Sequence, residues 1–153
     1  IPMKRLLMIL TVLVLLLSAC TGPTRHDDIL FSLGHYESGH FYTSGGFQDY
    51  TDFAVYTYAA VDLEDSFYFS PLTEGDLETM SAFLDDFEGW INAVRRSDPQ
   101  NEVVVNYQFD RSMMDTGDWF YIYENPEYSK FGSYDIWFLD SQTNVLYYFH
   151  NNI

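Results

Sequence analysis

Between Thr73 and Pro99 the chain repeats its apolar residues at helical spacing. Leu77, Met80, Phe83, Leu84, Phe87, Trp90, Ile91 and Val94 recur at steps of three, with single steps where two neighbours share the stripe. Thr73 is placed to cap the start, with Asp76 three residues on as a variant of the capping box. Glu74 and Asp76 suit the positive end of the helix dipole, and Arg95 and Arg96 suit the negative end. Asp98-Pro99 supplies the stop. The pattern predicts one helix over about 74–96 with a single apolar face. Gly89 inside it costs about 1 kcal/mol against alanine, which a close approach beside Trp90 would explain. A helix of this kind has to bury its stripe, and one apolar sheet face is the natural counterpart.

Strand-like runs surround the helix. Before it, Phe53–Val61 is rich in β-branched and aromatic residues, with Phe53, Val55 and Thr57 on one face and Ala54, Tyr56 and Tyr58 on the other. Both faces are apolar, so both are expected to be covered. A short extended piece ends at Pro71. After the helix, four further runs read as strands: Glu102–Asp110, Asp118–Glu124, Ser133–Asp140 and Val145–His150. The "SQTN" link between the last two has hairpin length, with Asn144 able to take a left-handed conformation. Short links argue antiparallel neighbours. The fold class expected is α+β, one long amphipathic helix packed on an antiparallel sheet of about five strands. The order of strand, helix and four strands is similar to the cystatin-like fold. The glutamine–valine–glycine loop of the inhibitory cystatins has no counterpart, so the likeness implies topology and no inhibitory activity. The stretch from Ile29 to Tyr50, broken by Gly34, Gly39, Gly45 and Gly46, reads as loop or short strands.

The N-terminus carries a different message. Met3 is followed by Lys4 and Arg5, then by an apolar run from Leu6 to Ala19, the parts of a secretory signal. Met3 is the expected start, with Ile1 and Pro2 foreign to the pattern. The run is short for a membrane span of about 20 residues. Leu17-Ser18-Ala19-Cys20 resembles the lipobox of bacterial lipoproteins. That resemblance covers residues 3–20 only. It implies cleavage before Cys20 and lipidation of its thiol, with two or more acyl chains, palmitate among them, giving stable anchoring. It further implies the extracytoplasmic face of a membrane. Thr21 stands where an inner-membrane retention Asp would be, so an outer membrane is the expected site if the host has one. An ordinary signal peptide with an incidental cysteine is the plainer alternative. The expected division is signal 1–20, tether 21–30 and a single domain over 31–153.

Composition bounds the rest. Cys20 is the single cysteine, so no intramolecular disulfide supports the domain. The chain holds 23 Asp and Glu against 7 Lys and Arg, a formal charge of −16. The imbalance grows once Lys4 and Arg5 leave with the signal. Such a field opposes nucleic acid and anionic surfaces and favours a basic protein, a basic peptide or a metal ion. Acidity that serves only solubility is the plainer account. Aromatic residues form 19% of the chain, which suits a packed β core or a recognition surface and excludes a disordered tail.

No chemical signature emerges. There is no G-x-S-x-G elbow and no spacing that selects a triad. His35, Glu37 and His40 could ligate a divalent ion, and Asp110, Asp115 and Asp118 could hold calcium, yet both groups also read as ordinary loop and turn residues. No cofactor is indicated. Strand alternation puts Phe120, Ile122, Ile136 and Phe138 toward the helix. It then puts Trp119, Tyr121, Tyr123, Trp137 and Tyr148 on the far face. That face is either an aromatic binding surface or a second core covered by the N-terminal segment. Three readings follow: a binding or interaction module for a basic protein, inhibitor- or immunity-like; a glycan- or cell-wall-binding domain using the aromatic face; and a hydrolase of unknown type.

Overall fold

The computed structural model describes residues 24–46, 49–64 and 66–153. The signal, the lipobox and Cys20 lie outside the described residues. In chain order the elements are α1 (Arg25–Ser32), β1 (Tyr36–Thr43), β2 (Tyr50–Tyr58), β3 (Ser70–Pro71), α2 (Glu74–Ser97), α3 (Glu102–Asn106), a 3-10 turn (Arg111–Met113), β4 (Trp119–Glu124), β5 (Ser133–Asp140) and β6 (Val145–Asn152). The strands form one antiparallel sheet in the order β1-β2-β6-β5-β4-β3. The protein is α+β, with helices against both faces of the sheet.

The long helix forms where its pattern predicts. The Asp76 carboxylate accepts the Thr73 N–H at 3.0 Å, which satisfies a backbone donor at the helix start. Met80, Phe83, Leu84, Phe87 and Ile91 are buried on its inner face. They meet Phe53, Ile136, Phe138 and Phe149 of the sheet, with Leu77, Val94, Phe120 and Ile122 packed around them. Fully burying each large apolar side chain is worth about 1.5–3 kcal/mol. Trp90 departs from the expected stripe: it is half-buried and stands outside the core. A Cβ on Gly89 would meet no atom within 4 Å, so no close approach accounts for that glycine.

Two expectations are corrected. Glu102–Asp110 is not a strand. The Asn101 side chain accepts the Val103 N–H at 3.1 Å and starts the short helix α3. Val103 and Val104 are thereby both buried in one core, where a strand would have sent them to opposite faces. The sheet draws its remaining strands from the glycine-broken segment (β1) and from Ser70–Pro71 (β3). The expected tether is the second correction. Thr24 and Asp27 form a reciprocal capping box, and Ile29, Leu30 and Leu33 are buried, so the folded domain includes residues 24–30 of the expected tether.

α1 ends at Gly34, whose φ of 102° suits glycine. Gly39 of β1 is needed for another reason: a Cβ there would sit 2.6 Å from the Tyr56 ring, which lies across the strand. Asn144 takes a φ of 56° in the β5–β6 turn, as its place in the hairpin link predicts. Among the described residues no helix is long and apolar enough to cross a membrane.

Candidate functional site

The strand registers carry side chains of chemical interest onto the face covered by α1. Thr43, Asp52, His150, Asp135 and Tyr123 are successive register partners across β1, β2, β6, β5 and β4, so they form one line perpendicular to the strands. The next line on the same face holds Phe41, Ala54, Tyr148, Trp137 and Tyr121. Polar groups thus border an aromatic layer.

α1 closes this layer. Ile29, Leu30 and Leu33 pack with Ala54, Tyr56, Tyr58, Trp137, Leu139, Leu146 and Tyr148 in a second core. The His26 ring sits 4.7 Å from Trp137 and 4.6 Å from Tyr148, and its Nε2 is 2.8 Å from the Tyr56 hydroxyl. Tyr58 donates its hydroxyl to the Leu30 carbonyl at 3.1 Å. Arg25 lies over the Tyr123 ring at 3.6 Å from its centroid, a cation–π contact. The aromatic face proposed from alternation is therefore largely interior. Trp137 is 1% exposed and Tyr148 6%, so neither is available to a ligand, while Trp119, Tyr121 and Tyr123 are half-buried along β4.

In the polar line, the Asp135 carboxylate accepts the Tyr148 hydroxyl at 2.8 Å and lies 2.7 Å from His150 Nδ1. This orients the imidazole with Nε2 turned away from Asp135. The arrangement matches the acid–histidine half of a hydrolytic triad. The other half is missing among the described residues: His150 Nε2 is buried and has no hydroxyl or thiol partner. Asp52 Oδ1 is also buried without a partner, and burial pushes the Asp52 carboxyl above its ordinary range. Burial likewise pushes the Tyr148 hydroxyl well up, with the Asp135 charge adding to it.

Burial holds His26 below the ordinary imidazole range, against the pull of Asp135 and Asp27, with His150 adding to the lowering. The folded chain therefore takes up this proton less readily than the unfolded chain. The stability His26 contributes is full above the unfolded value of about 6.5 and is lost as pH falls below it. Thermal melts from about pH 8 to pH 5 are expected to show wild type losing stability relative to His26→Phe below about pH 6.5. Parallel curves would contradict the buried placement.

The metal candidates do not converge. Asp118 is 2% exposed and accepts the Asp115 N–H at 2.9 Å, the Ser141 N–H at 3.0 Å and the Ser141 hydroxyl at 2.7 Å. It fastens the start of β4 to the β5–β6 turn. Asp110 accepts the Ser112 N–H at 2.9 Å, and Asp115 is exposed. His35, Glu37 and His40 are exposed around the start of β1. Among the described residues no group of three or more His, Cys, Asp or Glu side chains is placed to hold a metal ion. Asp52, Asp135, His150 and His26 were not singled out from sequence. The signal that could have found the first three is strand parity, since Asp135 and Trp137, His150 and Tyr148, and Asp52 and Ala54 are each two residues apart.

No family model matches the chain, and neither does a curated protein or a solved structure. The class is set by the fold and surface alone: an α+β domain with two aromatic cores and an acidic exterior.

Proposed function

We propose that this protein is a lipid-anchored extracytoplasmic binding module whose partner is a basic protein, in the manner of an inhibitor or immunity factor. The observation that carries the reading is the closure of the aromatic face by α1. What remains outside is rich in acid, including Asp28, Glu37, Glu78, Asp98, Glu124 and Glu127, all exposed, with scattered exposed rings such as Phe31, Phe41 and Phe67 between them. Of the cations, Arg111 is held by Asp85 at 2.7 Å and Glu88 at 2.9 Å and Arg25 by Tyr123, which leaves the exposed Arg95, Arg96 and Lys130 among a larger number of acids. The lipobox-like Leu17–Cys20 supports anchoring, with the outer membrane as the site in a host that has one. The folded domain includes Thr24, four residues after Cys20, so a lipid on Cys20 would hold it, and the partner it meets, close to the membrane. The glycan reading keeps only the half-buried Trp119, Tyr121 and Tyr123. The observed order, three strands before the long helix and three after it, departs from the expected cystatin-like order of one strand, a helix and four strands, so that likeness carries no function.

Residues 24–153, used as bait on envelope and secreted protein, are expected to capture a basic protein at low salt and release it at about 0.5 M, where charges are screened. Capture that persists at high salt, or of glycan alone, would overturn the reading. In the full chain, Cys20→Ala is expected to abolish lipid labelling; labelling that survives would remove the anchor.

A further inference from the structure

A groove of about 340 Å³ opens where the last turns of α2 meet the start of β2 and the end of β6. Its walls include Trp90, Ala93, Val94, Ser97 and Asp98 of the helix end and Asp49, Tyr50 and Asn151 of the sheet side. Three features of these walls favour a cation. Asp49 and Asp98 are exposed carboxylates. The half-buried Trp90 and Tyr50 rings line the groove, and such rings suit a cation–π contact. No lysine or arginine lines the groove. A fourth feature points to a peptide. Asn151 is 1% exposed and its Oδ1 accepts the Thr51 hydroxyl at 3.1 Å, while its Nδ2 has no partner and can donate to a carbonyl.

We infer that this groove is where the partner's basic chain docks, holding an arginine or lysine side chain between Trp90, Asp49 and Asp98 and receiving the adjoining peptide carbonyl at Asn151. The inference rests on the reading of the protein as a binder of basic proteins and gives that reading a place. It accounts for Trp90, which continues the apolar stripe of α2 in sequence yet stays out of the core. It also gives Gly89 a setting, since the helix face beside Trp90, with Asp85 and Asp86, is a second open hollow and not a packed contact.

The test uses residues 24–153, which contain both cores, with acetyl-arginine methylamide as probe and its neutral citrulline counterpart as control. Titration at low salt is followed by nitrogen–proton correlation spectra. The expected result is saturable shifts of the Trp90 indole, the Asn151 side-chain amide and the Asp98 backbone with the arginine probe, and none with citrulline. Asp98→Asn and Trp90→Ala are each expected to weaken the probe at least threefold, and Glu127→Gln, distant in the chain, to leave it unchanged. Asp98→Asn keeps the backbone cap and guards against a folding defect in the tryptophan variant. Shifts confined to other acidic surfaces, or equal shifts with citrulline, overturn the groove and leave the acidic module standing. Absence of any cation-dependent shift overturns both.

Discussion

Replacing Phe87 with alanine is expected to lower the unfolding free energy by about 3–5 kcal/mol, the range for removing a buried aromatic side chain from a core that relaxes only in part. Phe87 is fully buried on the inner face of α2. Its ring meets Phe149 edge-on at 5.3 Å and Tyr107 at 5.6 Å. Each such pair adds about 0.5–1.5 kcal/mol beyond area burial. Set against a total of about 5–15 kcal/mol for a domain of this size, the loss brings the protein near unfolding at ambient temperature. Denaturant melts check it: a drop below about 1 kcal/mol would mean that α2 packs on the sheet with another face.

The second large effect belongs to the opposite side of the sheet. Trp137→Ala is expected to cost a similar amount, about 3–5 kcal/mol, and to loosen α1. Trp137 lies 4.2 Å from Tyr148 and 4.7 Å from His26, so its removal takes out the centre of the seat on which α1 rests. Its Nε1 is buried without a partner, so the indole N–H contributes no hydrogen bond to the fold. Trp137→Phe keeps part of the ring and removes only an unpartnered donor, so it is expected to cost clearly less than Trp137→Ala, with the smaller residual cavity setting the loss. Equal losses in the two variants would contradict this. A loss below about 1 kcal/mol in the alanine variant would mean that the second core is not closed.

α2 was legible because one stripe, two caps and a proline stop all agree. The inward set on β4 and β5 was legible because alternation has a fixed period of two. α3 was not, since "VVV" suits a strand by composition and only the Asn101 cap and the burial of two neighbouring valines decide for a helix. α1 was hidden by its length of eight residues and its place just past a proline, though its Thr24–Asp27 capping box is written in the chain. Of the two expectations for the aromatic face, α1 decides for a second core covered by the N-terminal segment. The polar line of Asp52, His150 and Asp135 was illegible for a different reason. Asp135 and His150 face each other across the β5–β6 hairpin, but Asp52 joins them only through the pairing of β2 with β6, strands far apart in sequence. Nor does the sequence reveal that Trp90 leaves the stripe, because that depends on where the sheet ends beneath α2.

The reading of the surface depends on α1 staying docked, and hydrogen exchange over α1 in lipid-free residues 24–153 tests that most directly. The Leu33 and Gly34 amides donate to Leu30 and Phe31 at 3.3 and 3.1 Å, and the buried turn before them packs on Tyr58 and Trp137. Their exchange is expected to be slowed by roughly a hundredfold or more over free peptide, approaching that of β2 and β6. Exchange near the free-peptide rate, with β2 and β6 protected, would mean that α1 is loose. The aromatic face would then be open, and an acidic exterior would no longer be what this protein chiefly offers a partner.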